Sequence, residues 1–363
     1  MDPAITSFKI TGLCSAPFTP MHADGSIDYA SLDLHFAELL AQGVTSAFVN
    51  GTTGEGYTLS LAERKALLER WVTLSKGRIA IIAMVGAEAL PDMLELATHA
   101  HDAGANAVSY QPSTFFKPDG VGSIVGLMGL VAEAARGLPL YYYHIAIKTG
   151  VTIRCDLLLD AVAAAQAAGT LRTFRGIKYS DADLHILSNC IHGHGGAFDV
   201  AYGKDEQMLG ALAMGAKGFV GSTYNYSGRV SNEVIALWAK GAFAVCVCVC
   251  VCVCGAYTYV PRAVCSPYPP HHRPPTLPAG DTAGALAKHR LLQKLVNLLY
   301  NASAYGPGSC NVGKAVMQWR LRTTAGKPDA VSCGPPRAPG TGVTAEGMQK
   351  LRADLQAIGF FDY

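Results

Sequence analysis

Between residues 10 and 240 the sequence repeats one pattern eight times, and this repetition constrains the fold more than any other feature. A short β-branched or aromatic run is followed by an amphipathic stretch with helical spacing, usually closed by glycine. The runs that read as strands are Ile10–Pro17, Ser46–Asn50, Arg78–Val85, Ala107–Gln111, Leu140–Ile145, Phe174–Tyr179, Phe198–Tyr202 and Gly218–Gly221. Helical stretches between them include Tyr29–Gln42, Leu61–Ser75, Pro91–Ala103, Val121–Arg136, Asp156–Ala168, Asp183–Ile191 and Glu206–Met214. Ser60 and Glu63 have the spacing of a capping box. Gly43, Gly77, Gly104, Gly137, Gly169 and Gly215 stand where helices end in a left-handed residue. Strands alternating with helices at this length build a parallel sheet covered by helices. Eight such units predict a closed (β/α)8 barrel, the TIM barrel. An open doubly wound sheet is the alternative, and it would need a glycine-rich loop at its switch point. Gly120, Gly122 and Gly126 have the wrong spacing for that loop and follow no strand.

The barrel is assigned to residues 1–230 and a C-terminal helical region to 231–363. Asn232–Lys240, Gly284–Ala302 and Thr344–Ile358 read as helices of a small appendage packed on the barrel. A segment of another character, about residues 242–280, interrupts this region. It opens on a strict Cys-Val alternation with Cys246, Cys248, Cys250, Cys252 and Cys254. It continues through Cys265, His271, His272 and seven prolines. A translated TG dinucleotide repeat gives this alternation. Without the segment, Lys240-Gly241 joins Asp281-Thr282 inside a plausible helix–turn–helix. An unspliced intron is the favoured reading, and a genuine cysteine-rich, metal-binding insertion is the other. Metal ligands are brought together by turns, whereas five thiols on one extended face are not.

Composition narrows the function. The chain is 50% hydrophobic and 15% charged with a formal net charge of +2, enough to bury a large core and too neutral for a nucleic-acid binder. Its longest apolar run, Ala242–Cys254, has 13 residues, short of the roughly 20 that cross a bilayer. Met1–Lys9 carries no secretory pattern. Cys14, Cys155, Cys190, Cys310 and Cys333 are dispersed and read as buried thiols in a reducing compartment. The expectation is a soluble, cytoplasmic chain with no nucleic-acid or membrane partner.

Barrels of this kind work at the C-terminal ends of their strands. Lys178 is the anomaly there, because a lysine in an apolar parallel strand pays for its charge. It either reaches solvent or a carboxylate, or it is an amine of lowered pKa that forms a Schiff base with a carbonyl substrate. Thr52 and Thr53 lie between glycines in Gly51–Glu55, which is either a tight turn or a cradle for an anion such as a carboxylate. Tyr141 and Tyr143 share one strand face and Tyr142 takes the other. Tyr143 is packing or a proton shuttle. Asp205 and Glu206 open a helix or bind sugar hydroxyls. His192 with His194, and His271 with His272, have no third ligand nearby, so no metal is expected.

GTTGE, YYYHI, GIKYSDADL, GKDE and GSTYN occur in this order. Together they resemble the N-acetylneuraminate lyase branch of the pyruvate-dependent class I aldolases, a family that also contains dihydrodipicolinate synthase. The resemblance covers about residues 10–240 and, more weakly, 281–361. It implies that Lys178 is the Schiff-base lysine, that Tyr143 moves protons, and that Thr52 and Thr53 hold the pyruvate carboxylate. It further implies that Ser180, Gly203, Asp205, Glu206 and Ser222 contact the sugar part. No metal or dissociable cofactor is implied, the substrate is a small 2-keto acid, and the assembly is commonly a homotetramer. His144 is similar to the animal-type lyases.

Two positions depart from the family pattern. Ala146 replaces a proline, which loosens the turn that aims Tyr143. Lys148 replaces an arginine of the synthases or an apolar residue of the lyases, and an outward pose is expected for it. Phe115 and Phe116 stand where the synthases carry a tyrosine pair after Pro112. The other functional readings are a synthase-like aldolase and a catalytically inactive barrel that senses carboxylates or sugars. Sequencing the mature transcript across Lys240–Asp281 is expected to show the repeat removed. A mature message that carries it ends the intron reading.

Overall fold

The computed structural model describes residues 7–254, 281–301, 309–325, 333–337 and 342–362, with the backbone alone for 241–254, 309–311, 323–325 and 362. Eight parallel strands close in sequence order: β1 (Gly12–Ser15), β2 (Ser46–Val49), β3 (Ala80–Met84), β4 (Ala107–Tyr110), β5 (Leu140–His144), β6 (Phe174–Tyr179), β7 (Asp199–Tyr202) and β8 (Gly218–Gly221). β8 pairs with β1 from Gly12↔Gly218 to Ser15↔Gly221, which completes the expected barrel. Around it run α1 (Tyr29–Ala41), α2 (Leu61–Ser75), α3 (Leu90–Asp102), α4 (Val121–Ala134), α5 (Cys155–Ala167), α6 (Leu184–His192), α7 (Met208–Ala213) and the start of α8 (Tyr224–Cys254).

The two faces of each strand bury different cores, as a period of two requires. Cys14, Phe48, Ile82, Met84, Tyr141, Tyr143 and Val220 fill the barrel interior. Leu13, Val49, Ile81, Val108, Tyr142 and Ile177 face the helices, where Leu67, Trp71 and Met128 meet them. Each such side chain contributes roughly 1.5–3 kcal/mol when fully buried. The capping box forms as expected: Ser60 N–H donates to Glu63 at 2.8 Å and Glu63 N–H donates to Ser60 Oγ at 3.3 Å. Gly43 and Gly215 close their helices with φ of 72° and 97°.

Three further helices follow: α9 (Thr282–Tyr300), α10 (Ser309–Ala325) and α11 (Ala345–Ala357). The second was not expected. Its apolar face Val312, Val316 and Leu321 packs with Leu351, Leu355 and Phe360 in a separate small core. Cys14, Cys155, Cys190 and Cys333 are buried and unbridged. The side chain of Cys310 lies outside the described residues, as do Cys265, His271, His272 and the prolines of the 255–280 segment.

The Cys-Val run, expected to be extended, instead continues α8 as helix to Cys254. Adding residues to a helix that already exists needs no new nucleus. Among the described residues no helix is long and apolar enough to cross a membrane.

Lys288 on α9 bridges Glu233 on α8 at 2.7 Å. Glu233 stands eight residues before Gly241 and Lys288 seven after Asp281. In two adjacent antiparallel helices, that pair sets Gly241 and Asp281 at about the same level. Asp281 already caps α9, accepting from Gly284 N–H at 2.6 Å. A chain lacking 242–280 is therefore expected to fold, with Tm equal to or above that of the full chain. Loss of its cooperative thermal transition contradicts this hairpin geometry.

Candidate active site

The C-terminal ends of the strands surround a cavity of about 350 Å³. All nine residues picked from the sequence line it: Thr52, Thr53, Tyr143, Lys178, Ser180, Gly203, Asp205, Glu206 and Ser222. Strand register explains the innermost pair. Tyr143 on β5 is paired with Lys178 on β6, so their side chains share one interior layer. Lys178 is 3% exposed. Its Nζ lies 3.8 Å from the Phe48 ring centroid and 3.9 Å from that of Tyr143. Aromatic faces attract a cation without supplying a base. The Lys178 amine makes no ion pair or hydrogen bond among the described residues. The amine is thus buried, anchored by packing and open towards the cavity. Cys14 is another interior nucleophile, but burial pushes its thiol up to about 12, so it stays protonated near neutral pH.

Tyr143 Oη stands 3.3 Å from Thr52 Oγ1, which joins the tyrosine to the threonine loop. Thr52 and Thr53 are half-buried at the cavity wall. Ser180 follows β6, and its N–H donates to His144 O at 2.9 Å. Gly203 is required beside it: a Cβ there would lie 2.0 Å from Ser180 Oγ. His144 is buried behind the site, stacked on Tyr179 at 5.5 Å and 3.7 Å from Asp181. Burial lowers its pKa, against the pull of Asp181.

The two acidic residues are placed differently. Asp205 Oδ2 accepts from Thr223 N–H at 2.9 Å and from its hydroxyl at 2.7 Å. It ties the β7 loop to the β8 loop, and burial raises its carboxyl above the ordinary value. Glu206 Oε1 accepts from Tyr300 Oη at 2.9 Å and faces Lys204 Nζ at 3.2 Å, which leaves Oε2 without a partner among the described residues. Tyr300, Val296 and Leu299 of α9 line the cavity, as does Gly313 of α10. The sequence placed the first of these helices but carried no local signal of which barrel loop it covers.

One expectation is corrected. Lys148 is exposed yet lines the cavity rim instead of turning away from it. The chain has left β5 by then, and Ala146–Thr149 forms one helical turn closed by Gly150 N–H to Ala146 O at 2.8 Å. Ala146 is the first residue of that turn. Among the described residues no group of three or more His, Cys, Asp or Glu side chains could hold a metal ion.

Fold and site together define a barrel enzyme with one buried amine at its working face. The sequence model of the Dihydrodipicolinate synthetase family matches residues 9–249. The chain belongs to this family. It is 43% identical over 240 residues to a Gallus gallus N-acetylneuraminate lyase, covering 65% of this chain and 76% of that one. The Homo sapiens N-acetylneuraminate lyase is 40% identical over 240 residues, covering 65% and 73%. The solved Proteus mirabilis N-acetylneuraminate lyase superimposes with a TM-score of 0.76 at 30% identity, covering 97% of this chain and 100% of that one.

Asp205→Ala strands the Thr223 N–H and hydroxyl. It is expected to cost about 1–3 kcal/mol of stability in denaturant unfolding. Unchanged stability would show that the two hydrogen bonds are idle.

Proposed function

We propose that this enzyme is an N-acetylneuraminate lyase, cleaving N-acetylneuraminate reversibly to N-acetylmannosamine and pyruvate through an imine on Lys178. The observation that carries the reading is the Lys178 amine, buried between Phe48 and Tyr143 with Tyr143 in turn beside Thr52. The relatives named above support the choice of substrate.

The chemistry follows from the layout. Thr52, Thr53 and the loop N–H groups hold the carboxylate of the open-chain sugar acid. Lys178 attacks the 2-keto carbon and loses water to form a protonated imine, an electron sink. Tyr143 takes the C4 hydroxyl proton, directly or through the substrate carboxylate. The C3–C4 bond then breaks, its electron pair passes into an enamine, and N-acetylmannosamine departs. Protonation of the enamine carbon and hydrolysis of the imine release pyruvate and restore the amine. Glu206, with Ser180, Gly203 and Ser222, receives the sugar hydroxyls, and Asp205 holds that wall in place. No step needs a metal or a dissociable cofactor.

The proposal extends to a cytoplasmic homotetramer. Phe115 and Phe116 support self-association: they are 79% and 82% exposed on a loop pinned by Glu88, which accepts from Thr114 N–H at 2.9 Å. Light scattering on the purified enzyme checks the assembly.

Lys148 at the rim gives the synthase reading a specific observation, since a cation there would welcome an acidic aldehyde. Glu206 and the buried Asp205, which line the same cavity, disfavour a second carboxylate. N-acetylmannosamine is therefore expected to exceed aspartate semialdehyde in kcat/KM for condensation with pyruvate. A clear preference for the semialdehyde moves the enzyme to the synthase side. Tyr143→Phe keeps the ring against Lys178 and removes the proton carrier. Turnover is expected to fall roughly 100- to 10,000-fold, with imine formation retained. A wild-type kcat removes Tyr143 from the mechanism.

A further inference from the structure

The loop that carries Thr52 and Thr53 has a conformation its own residues do not favour. Glu55 has φ 57° and ψ 30°, and Asn50 has φ 62°, both in the left-handed region that side chains rarely enter. Gly56 is forced, because a Cβ there would lie 1.9 Å from Asn50 O. Something must hold this turn closed.

The holding groups come from the far end of the chain. The Glu55 carboxylate does not line the cavity. It is buried under the loop, where Lys314 Nζ of α10 meets Oε1 at 2.5 Å. Lys314 is 1% exposed and Glu55 6%, so neither charge has water as an alternative partner. Lys314 also donates to Pro335 O at 3.3 Å, and Arg337 N–H donates to Glu55 Oε2 at 2.8 Å. The Arg337 guanidinium then fixes the other side of the turn. It donates to both Glu63 oxygens at 2.7 Å, to Thr58 O at 3.2 Å and to Gly25 O at 2.6 Å. Residues 333–337 thus form a strap across the base of the loop. Gly313, beside Lys314, lines the cavity itself.

We propose that Lys314 and Arg337 are positioning residues for the substrate carboxylate. Lys314 through Glu55, and the Arg337 guanidinium through Thr58 and Glu63, hold the loop so that Thr52 and Thr53 face the cavity and Thr52 reaches Tyr143. The proposal rests on the reading of this loop as the carboxylate cradle. A buried carboxylate deprived of its cation must find water, and Glu55 can do so only by opening the turn. Lys178, on β6, is not touched by that movement. The predicted effect is therefore on carboxylate affinity and not on imine chemistry.

The test uses the full chain with pyruvate as the probe. Imine formation is trapped with borohydride over a range of pyruvate concentrations and read by intact mass. Lys314→Met is expected to raise the half-saturating pyruvate concentration about tenfold, with the trapping rate at saturation unchanged. A chain that is merely destabilised would instead lose trapped amplitude at an unchanged half-saturation, which would overturn the proposal. If Lys314→Met does not fold, Arg337→Ala, on the more exposed side of the strap, is expected to give the same shift. Thr53→Ala is run in parallel. If Thr53→Ala shifts and the folded strap variants do not, the strap proposal alone fails. If Thr53→Ala is also unshifted, the cradle reading fails with it.

Discussion

Closure of the sheet is the constraint on which the rest of this molecule depends. Pairing β8 with β1 removes both edges and gives every strand an inner and an outer face. An inward residue near a strand's C-terminal end must then occupy the barrel mouth. The pairing Tyr143↔Lys178 sets two chemically active groups side by side in one layer. The amine is held by aromatic faces, and no carboxylate among the described residues pairs with it. Electrostatic interactions with an imine or a carboxylate are stronger in such a site than in water.

The loops above the strands divide the remaining work. In the proposed reaction the β2 loop faces the acid end of the substrate, and the β7 and β8 loops face the polyol end. Asp205 and Glu206 are adjacent in sequence but serve different purposes. One is consumed by Thr223 and fixes the wall, and the other lines the cavity with one oxygen shared by Tyr300 and Lys204. The C-terminal helices contribute at both ends, with Tyr300 behind Glu206 and Lys314 under Glu55. Activity should therefore depend on a region that lies beyond the Cys-Val segment in the chain.

All eight strands and the helices around them were legible in the sequence because their signals are local. Alternation, capping at Ser60 and terminal glycines such as Gly215 are each read within a few residues. The cavity residues were legible because barrel topology assigns strand ends to one face, and the motif resemblance then named them. What stayed hidden depends on long-range packing. No local pattern reveals that Lys314 pairs with Glu55 across more than half the chain, or that Thr223 claims Asp205. Lys148 could not be aimed from strand parity, because the strand ends before it. The helix Ser309–Ala325 was missed because Lys314, Gln318, Arg320 and Arg322 interleave with an apolar face that a small separate core recognises.

The central claim is that the Lys178 amine is the group that bonds to the keto acid. Peptide mapping of the wild-type enzyme after borohydride reduction with pyruvate tests it most directly. The account predicts one added pyruvate-derived mass, confined to the peptide that contains Lys178. An adduct on Lys148, Lys204 or any other lysine, or no adduct at saturating pyruvate, contradicts it.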